Sequence, residues 1–93
     1  MCHANDDSME PLIFSGDFII IKLKNPYEIT NNKIHAFLYD NTFYVRRLSK
    51  NINQIVVKSE NKDFPVQYIG EQEMNSFRLI GQVVYVGRTE GLL

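Results

Sequence analysis

Ser8 is the residue whose setting best suits chemistry. It stands in Asp7-Ser8-Met9-Glu10-Pro11, followed by Leu12-Ile13 and Gly16-Asp17. Pro11 fixes its own φ and biases Glu10 away from helix. A serine on such a restrained corner presents its hydroxyl in a fixed direction, as a nucleophile requires. The same five residues also fit a serine capping one turn of helix, and alone they do not separate the two readings. A nucleophilic serine needs a base. His3 or His35 with Asp6, Asp7 or Asp40 offers a Ser–His–Asp arrangement, although His35 lies in an alternating stretch where a structural histidine is the commoner outcome. Lys22, Lys33, Lys50 and Lys58 carry amines of a kind that is usually solvated. Cys2-His3 makes no metal site, because two adjacent residues are not a ligand set and no partner pair at zinc spacing follows. No metal or other cofactor is implied.

Composition narrows the setting. A chain of 93 residues is one domain with one modest core. Its 44% hydrophobic and 23% charged residues are ordinary for a soluble globular protein. No apolar run approaches the roughly 20 residues needed to span a bilayer, and no signal peptide is visible. The single cysteine, Cys2, excludes an internal disulfide and makes a reducing, cytoplasmic setting the default. A formal net charge of −1 argues against this chain gripping a phosphate backbone by itself.

The elements that must position Ser8 are strands. Phe18 to Lys24 is rich in β-branched residues and reads as a strand buried on both faces, entered through Gly16-Asp17. Asn25-Pro26 ends it, and Asn31-Asn32 marks a loop. Lys33 to Tyr39 and Thr42 to Leu48 form two strands around Asp40-Asn41, a two-residue connection suited to a tight hairpin though it lacks the usual glycine. Asn51 to Asn53 turn into a strand over Gln54 to Lys58. Ser59 to Pro65 is polar and irregular, Val66 to Ile69 is short and extended, and Glu71 to Ser76 forms a turn of helix. Phe77 to Arg88 is one long strand in which Gly81 predicts a bend or bulge. Within it Val83-Val84-Tyr85-Val86 offers two apolar faces, one of which meets either the domain's own core or a partner subunit. The fold class is mainly β: curled antiparallel sheets, or a small partly open barrel, with one or two short helical turns.

Three blocks, in order, then resemble one family. Asp7-Ser8-Met9-Glu10-Pro11 with Gly16-Asp17 is similar to the nucleophile motif of the LexA, UmuD and phage-repressor C-terminal domains. Tyr44-Val45-Arg46-Arg47-Leu48 resembles the strand that carries that family's catalytic lysine. Ser59-Glu60-Asn61 to Phe64-Pro65, and Ile80 to Arg88, resemble its third and last blocks. The match runs from Ala4 to Arg88. It implies a mostly β domain of a bacterial or phage transcriptional repressor, one that dimerises through this domain and cuts itself with a Ser–Lys dyad. It further implies that residues 1–93 form the C-terminal part of a longer regulator, whose DNA-binding region lies upstream and makes every contact to DNA.

Carried over residue by residue, the resemblance makes Ser8 the nucleophile and places the lysine at Arg46. That departure changes the chemistry. A lysine accepts the hydroxyl proton only when neutral, which burial can arrange. An arginine with a pKa of about 13.8 is neutral in on the order of one molecule in ten million at pH 7, and a guanidinium has no lone pair to offer. Arg47 is no substitute. Repressors of this kind cut at an Ala-Gly or Cys-Gly bond, and the chain contains neither dipeptide. The expectation is therefore an oligomerisation and regulatory domain without self-cleavage, regulated by another route such as an antirepressor protein. The alternative is an active autoprotease using a different lysine; a signal-peptidase relative is more remote. Arg46 is expected to contact a carboxylate of Asp6, Asp7 or Glu10, since an unpaired buried charge costs several kcal/mol.

Overall fold

A computed structural model describes residues 2, 3 and 8–87. Its strands are β1 (Cys2–His3), β2 (Phe18–Leu23), β3 (Lys33–Tyr39), β4 (Thr42–Lys50), β5 (Gln54–Lys58), β6 (Gln67–Gly70) and β7 (Phe77–Gly87), with a 3₁₀ helix over Glu71–Ser76. They form one open antiparallel sheet in the order β1-β2-β7-β3-β4-β5-β6. The fold class expected from the sequence is the one observed. No helix among the described residues is long and apolar enough to cross a membrane.

The β3–β4 hairpin closes on Asp40 and Asn41 with φ of 50° and 63°. A two-residue turn that follows the twist of its strands needs the left-handed region at both positions, and Asp and Asn tolerate it where bulkier residues do not. The register then pairs Phe37 with Tyr44, Ala36 with Val45 and His35 with Arg46.

β7 serves two partners. Its first half pairs with β3 and its second with β2, and the expected irregularity takes the form of two bulges. Ile80 is the extra residue facing β3, and Val84 the extra residue facing β2. Gly81 lies between them, where a Cβ would stand 2.2 Å from the Lys22 carbonyl oxygen. Only glycine lets the β2 backbone come so near.

Alternation along the strands sorts the apolar residues onto two faces. Met9, Ile13, Ile19, Ala36 and Val45 form one buried cluster. Phe37, Leu48, Ile55, Val57, Ile69 and Leu79 form the other, with Met74 of the 3₁₀ helix packed against it. One expectation is corrected here. β2 is not buried on both faces: Ile19 is enclosed, but Ile20 is 44% exposed and Leu23 76%. β2 lies one strand from the sheet edge, and an antiparallel sheet needs cover on only one side.

Candidate functional site: the serine turn and Arg46

The chain before β2 is built as an anchored turn. The N–H groups of Leu12 and Ile13 both donate to the Met9 carbonyl, at 2.9 and 2.8 Å. Met9 and Ile13 sit in the core while Pro11 and Leu12 face outward and Glu10 is half-buried. Each buried apolar side chain contributes about 1.5–3 kcal/mol, so these two pin the turn to the sheet. Its exit is fixed by Asp17. The Phe14 N–H donates to Asp17 Oδ2 at 2.9 Å, and the Asp17 N–H donates to the Phe14 carbonyl at 3.0 Å. Gly16 turns the chain between them with φ of 91°, a region that favours glycine. Met9, Gly16 and Asp17, named in the sequence as motif residues, thus hold the loop in shape.

Ser8 is fully buried. No buried side-chain nitrogen or oxygen among the described residues lacks a hydrogen-bond partner, so its hydroxyl is engaged. It caps no helix, because the one helix among the described residues is Glu71–Ser76. Its carbonyl accepts the Asn61 N–H at 2.8 Å. The loop 59–65, polar and irregular in sequence, is therefore docked on the serine. Asp6 and Asp7 lie outside the described residues.

Arg46 lies on β4 and is 9% exposed. Its Nη1 donates to the Val45 carbonyl at 2.8 Å, and its guanidinium carbon stands 5.2 Å from the centre of the Tyr44 ring. Hydrogen bonds and an aromatic face both offset the loss of water around a cation. Val45, the preceding residue, points to the opposite face and shares the cluster of Met9. That shared cluster joins the serine turn to the Arg46 strand. Arg46 itself borders a groove of about 540 Å³ lined by Phe37, Tyr44, Val57, Tyr68 and Ile69. A guanidinium there can donate hydrogen bonds and carry charge, but it cannot take a proton from a hydroxyl.

The next residue does a different job. Arg47 Nε donates to Glu60 Oε1 at 2.6 Å, and its Nη1 donates to the Asn32 carbonyl at 2.7 Å. One guanidinium thus ties the loop that holds Ser8 to the loop entering β3. Sequence reading took Arg47 only as a second arginine. The signal that could have found it is the acid of Ser59-Glu60-Asn61, lying just past the strand that follows β4 after a short turn.

The other candidate bases are placed as follows. Lys22, Lys33, Lys50, Lys58 and Lys62 are exposed, and Lys24 is half-buried with its Nζ 3.5 Å from Glu28 Oε2. His35 is fully buried, with Nδ1 2.8 Å from the Lys33 carbonyl and Nε2 accepting the Thr30 N–H at 3.2 Å. Both ring nitrogens serve backbone groups, so His35 is the structural histidine its strand suggested. Burial, above all, holds it below the usual histidine range, and Lys24 adds to this, against the opposing hydrogen bond to Lys33. The described residues contain no cluster of three metal-ligating side chains.

Comparison with known proteins adds a second line. A family model described as Peptidase S24-like matches residues 1–84. The chain is 31% identical over 88 residues to an uncharacterized HTH-type transcriptional regulator of Haemophilus influenzae, covering 92% of this chain and 36% of that protein. It is also 31% identical over 78 residues to the 26 kDa repressor protein of Escherichia phage HK022, covering 84% of this chain and 33% of that one. The chain spans about a third of the length of these curated relatives.

Proposed function

The chain belongs to the Peptidase S24-like family, and within it we propose the role of a repressor's regulatory and self-association domain that does not cleave its own chain. The observation that carries this reading is Arg46. By the family resemblance it stands at the lysine position of the Ser–Lys motif; it is almost wholly buried, and its guanidinium donates to the Val45 carbonyl and lies by the Tyr44 ring. The serine turn keeps its shape while the residue meant to receive the proton cannot do so. No other amine takes its place on this reading, because five of the lysines are solvated and the sixth is beside a carboxylate. Repressor function is supported by the phage repressor and the HTH-type regulator that the chain resembles. Contacts to DNA are assigned to a region outside residues 1–93, since the chain's charge of −1 does not suit that task.

Self-association is assigned to the uncovered face of β2 and β7. Ile20 and Tyr85 pair in the register and project away from the core cluster, 44% and 55% exposed. Val84, the bulged residue, adds 54% exposure beside them, and the Phe18 ring lies 6.0 Å from that of Tyr85. A contiguous apolar patch on a strand pair suits a two-fold contact with a second copy. The direct test of the whole reading is whether the parent protein cuts itself at alkaline pH, and whether Arg46→Lys creates that activity.

A further inference from the structure

His35 holds more than its own strand. Because the Lys33 carbonyl can only accept, Nδ1 carries the ring proton, and the lone pair of Nε2 receives the Thr30 N–H. Thr30 closes the loop that runs from the end of β2 to β3. Past it the loop is tied to β4 by other bonds: Asn32 N–H to the Leu48 carbonyl at 2.8 Å, and Lys50 N–H to Asn31 Oδ1 at 2.8 Å. Before Thr30 the loop has only its internal Asn25–Glu28 bonds, the exposed Lys24–Glu28 pair, the packing of Ile29 and the Lys50 contact with the Tyr27 ring. The Thr30 carbonyl in turn accepts the Lys33 N–H at 3.3 Å where the loop enters β3. The imidazole acceptor is, among the described residues, the one side-chain hydrogen bond from the sheet to residues 25–30.

We propose that His35 is an acid-sensitive latch: protonation of Nε2 removes the acceptor for the Thr30 N–H and loosens the loop 25–29, while the Thr30 carbonyl stays on the Lys33 N–H and the sheet stays folded. The surroundings favour the neutral ring. β4 presents Arg46 as the register partner of His35, β7 presents the uncharged Gln82, and Lys24 stands at the end of β2. Glu28, the carboxylate of the loop, is engaged with Asn25 and Lys24 rather than with the ring. The sign follows. The folded state binds the His35 proton less readily than the unfolded chain, so the contact contributes fully above about pH 6.5 and is lost as pH falls from there through the lowered native value.

The test is an NMR titration of the full 93-residue chain from pH 7.5 downward, following the His35 ring, the Thr30 amide and the core amides of Ile55 and Leu79. The latch predicts an Nδ1-protonated tautomer at neutral pH. It also predicts that the Thr30 amide and the His35 ring shift with one midpoint below 6.5, with at least a tenfold rise in Thr30 amide exchange while Ile55 and Leu79 stay protected. His35→Gln, whose side-chain oxygen can accept at the place of Nε2 without titrating, removes the Thr30 midpoint. A Thr30 step that persists in His35→Gln would point to Glu28 and overturn the proposal. So would core amides lost at the same midpoint, or a Thr30 amide that ignores His35. Should His35→Gln fail to fold, the tautomer and the shared midpoint in the unaltered chain decide alone.

Discussion

The Asn61 backbone N–H donates to the Ser8 carbonyl at 2.8 Å, joining the loop after β5 to the serine turn before β2. Asn61 also closes its own loop, accepting the Phe64 N–H on its carbonyl and the Asp63 N–H on its side-chain oxygen. The neighbouring Glu60 is held by Arg47. The position of Ser8 is thus set by elements from three separate parts of the chain.

The Arg47–Glu60 pair is partly shielded, with side chains 26% and 31% exposed. Glu60→Gln or Arg47→Gln is expected to lower stability by about 1–2 kcal/mol, more than an exposed ion pair contributes. Urea unfolding gives the stability change, and amide exchange at Asn61 shows whether the loop on Ser8 loosens first. Unchanged exchange at Asn61 would separate the pair from the serine turn.

Gly81→Ala places a methyl against the Lys22 carbonyl, a backbone atom that cannot rotate away. We expect a loss of about 1–3 kcal/mol. Gly70→Ala is the control: nothing lies within 4 Å of its added methyl, and its φ of −84° suits any residue. That variant should be neutral or gain up to about 1 kcal/mol. Calorimetry on both resolves close approach from a general intolerance of substituted glycines.

If the β2–β7 face meets a second copy, Tyr85→Lys combined with Ile20→Glu should dissociate the assembly without unfolding it. Sedimentation velocity would then show a monomer, with a circular dichroism spectrum matching the unaltered chain. An unchanged oligomer would move the contact to another surface.

Much of the fold could be read from sequence because local chemistry decides it. Asp40-Asn41 can adopt the left-handed turn that a two-residue hairpin needs, and the strands on either side alternate. Gly81 announced an irregularity, though not that Ile80 and Val84 would be bulged toward different partners; that depends on β7 lying between β2 and β3. The burial of β2 was misread for a related reason. A run of Phe18-Ile19-Ile20-Ile21 looks enclosed on both sides, yet which face is covered depends on where the strand falls in the sheet order. At the candidate site, Ser8, Gly16, Asp17 and Arg46 were visible in the sequence through the family resemblance. The links from Arg47 to Glu60, from Asn61 to Ser8 and from His35 to Thr30 were not, because each joins residues brought together by strand pairing or a loop closure.

The most direct measurement is self-cleavage of the longest parent protein at alkaline pH, where a lysine base would be increasingly neutral. Fragment mass is followed against time for the parent, Ser8→Ala, Arg46→Lys and the double variant. The parent should stay whole, and Arg46→Lys should cut itself only while Ser8 is present. A parent that cuts itself, and stops doing so as Ser8→Ala, would contradict the assignment of Arg46 and require a base elsewhere in the chain.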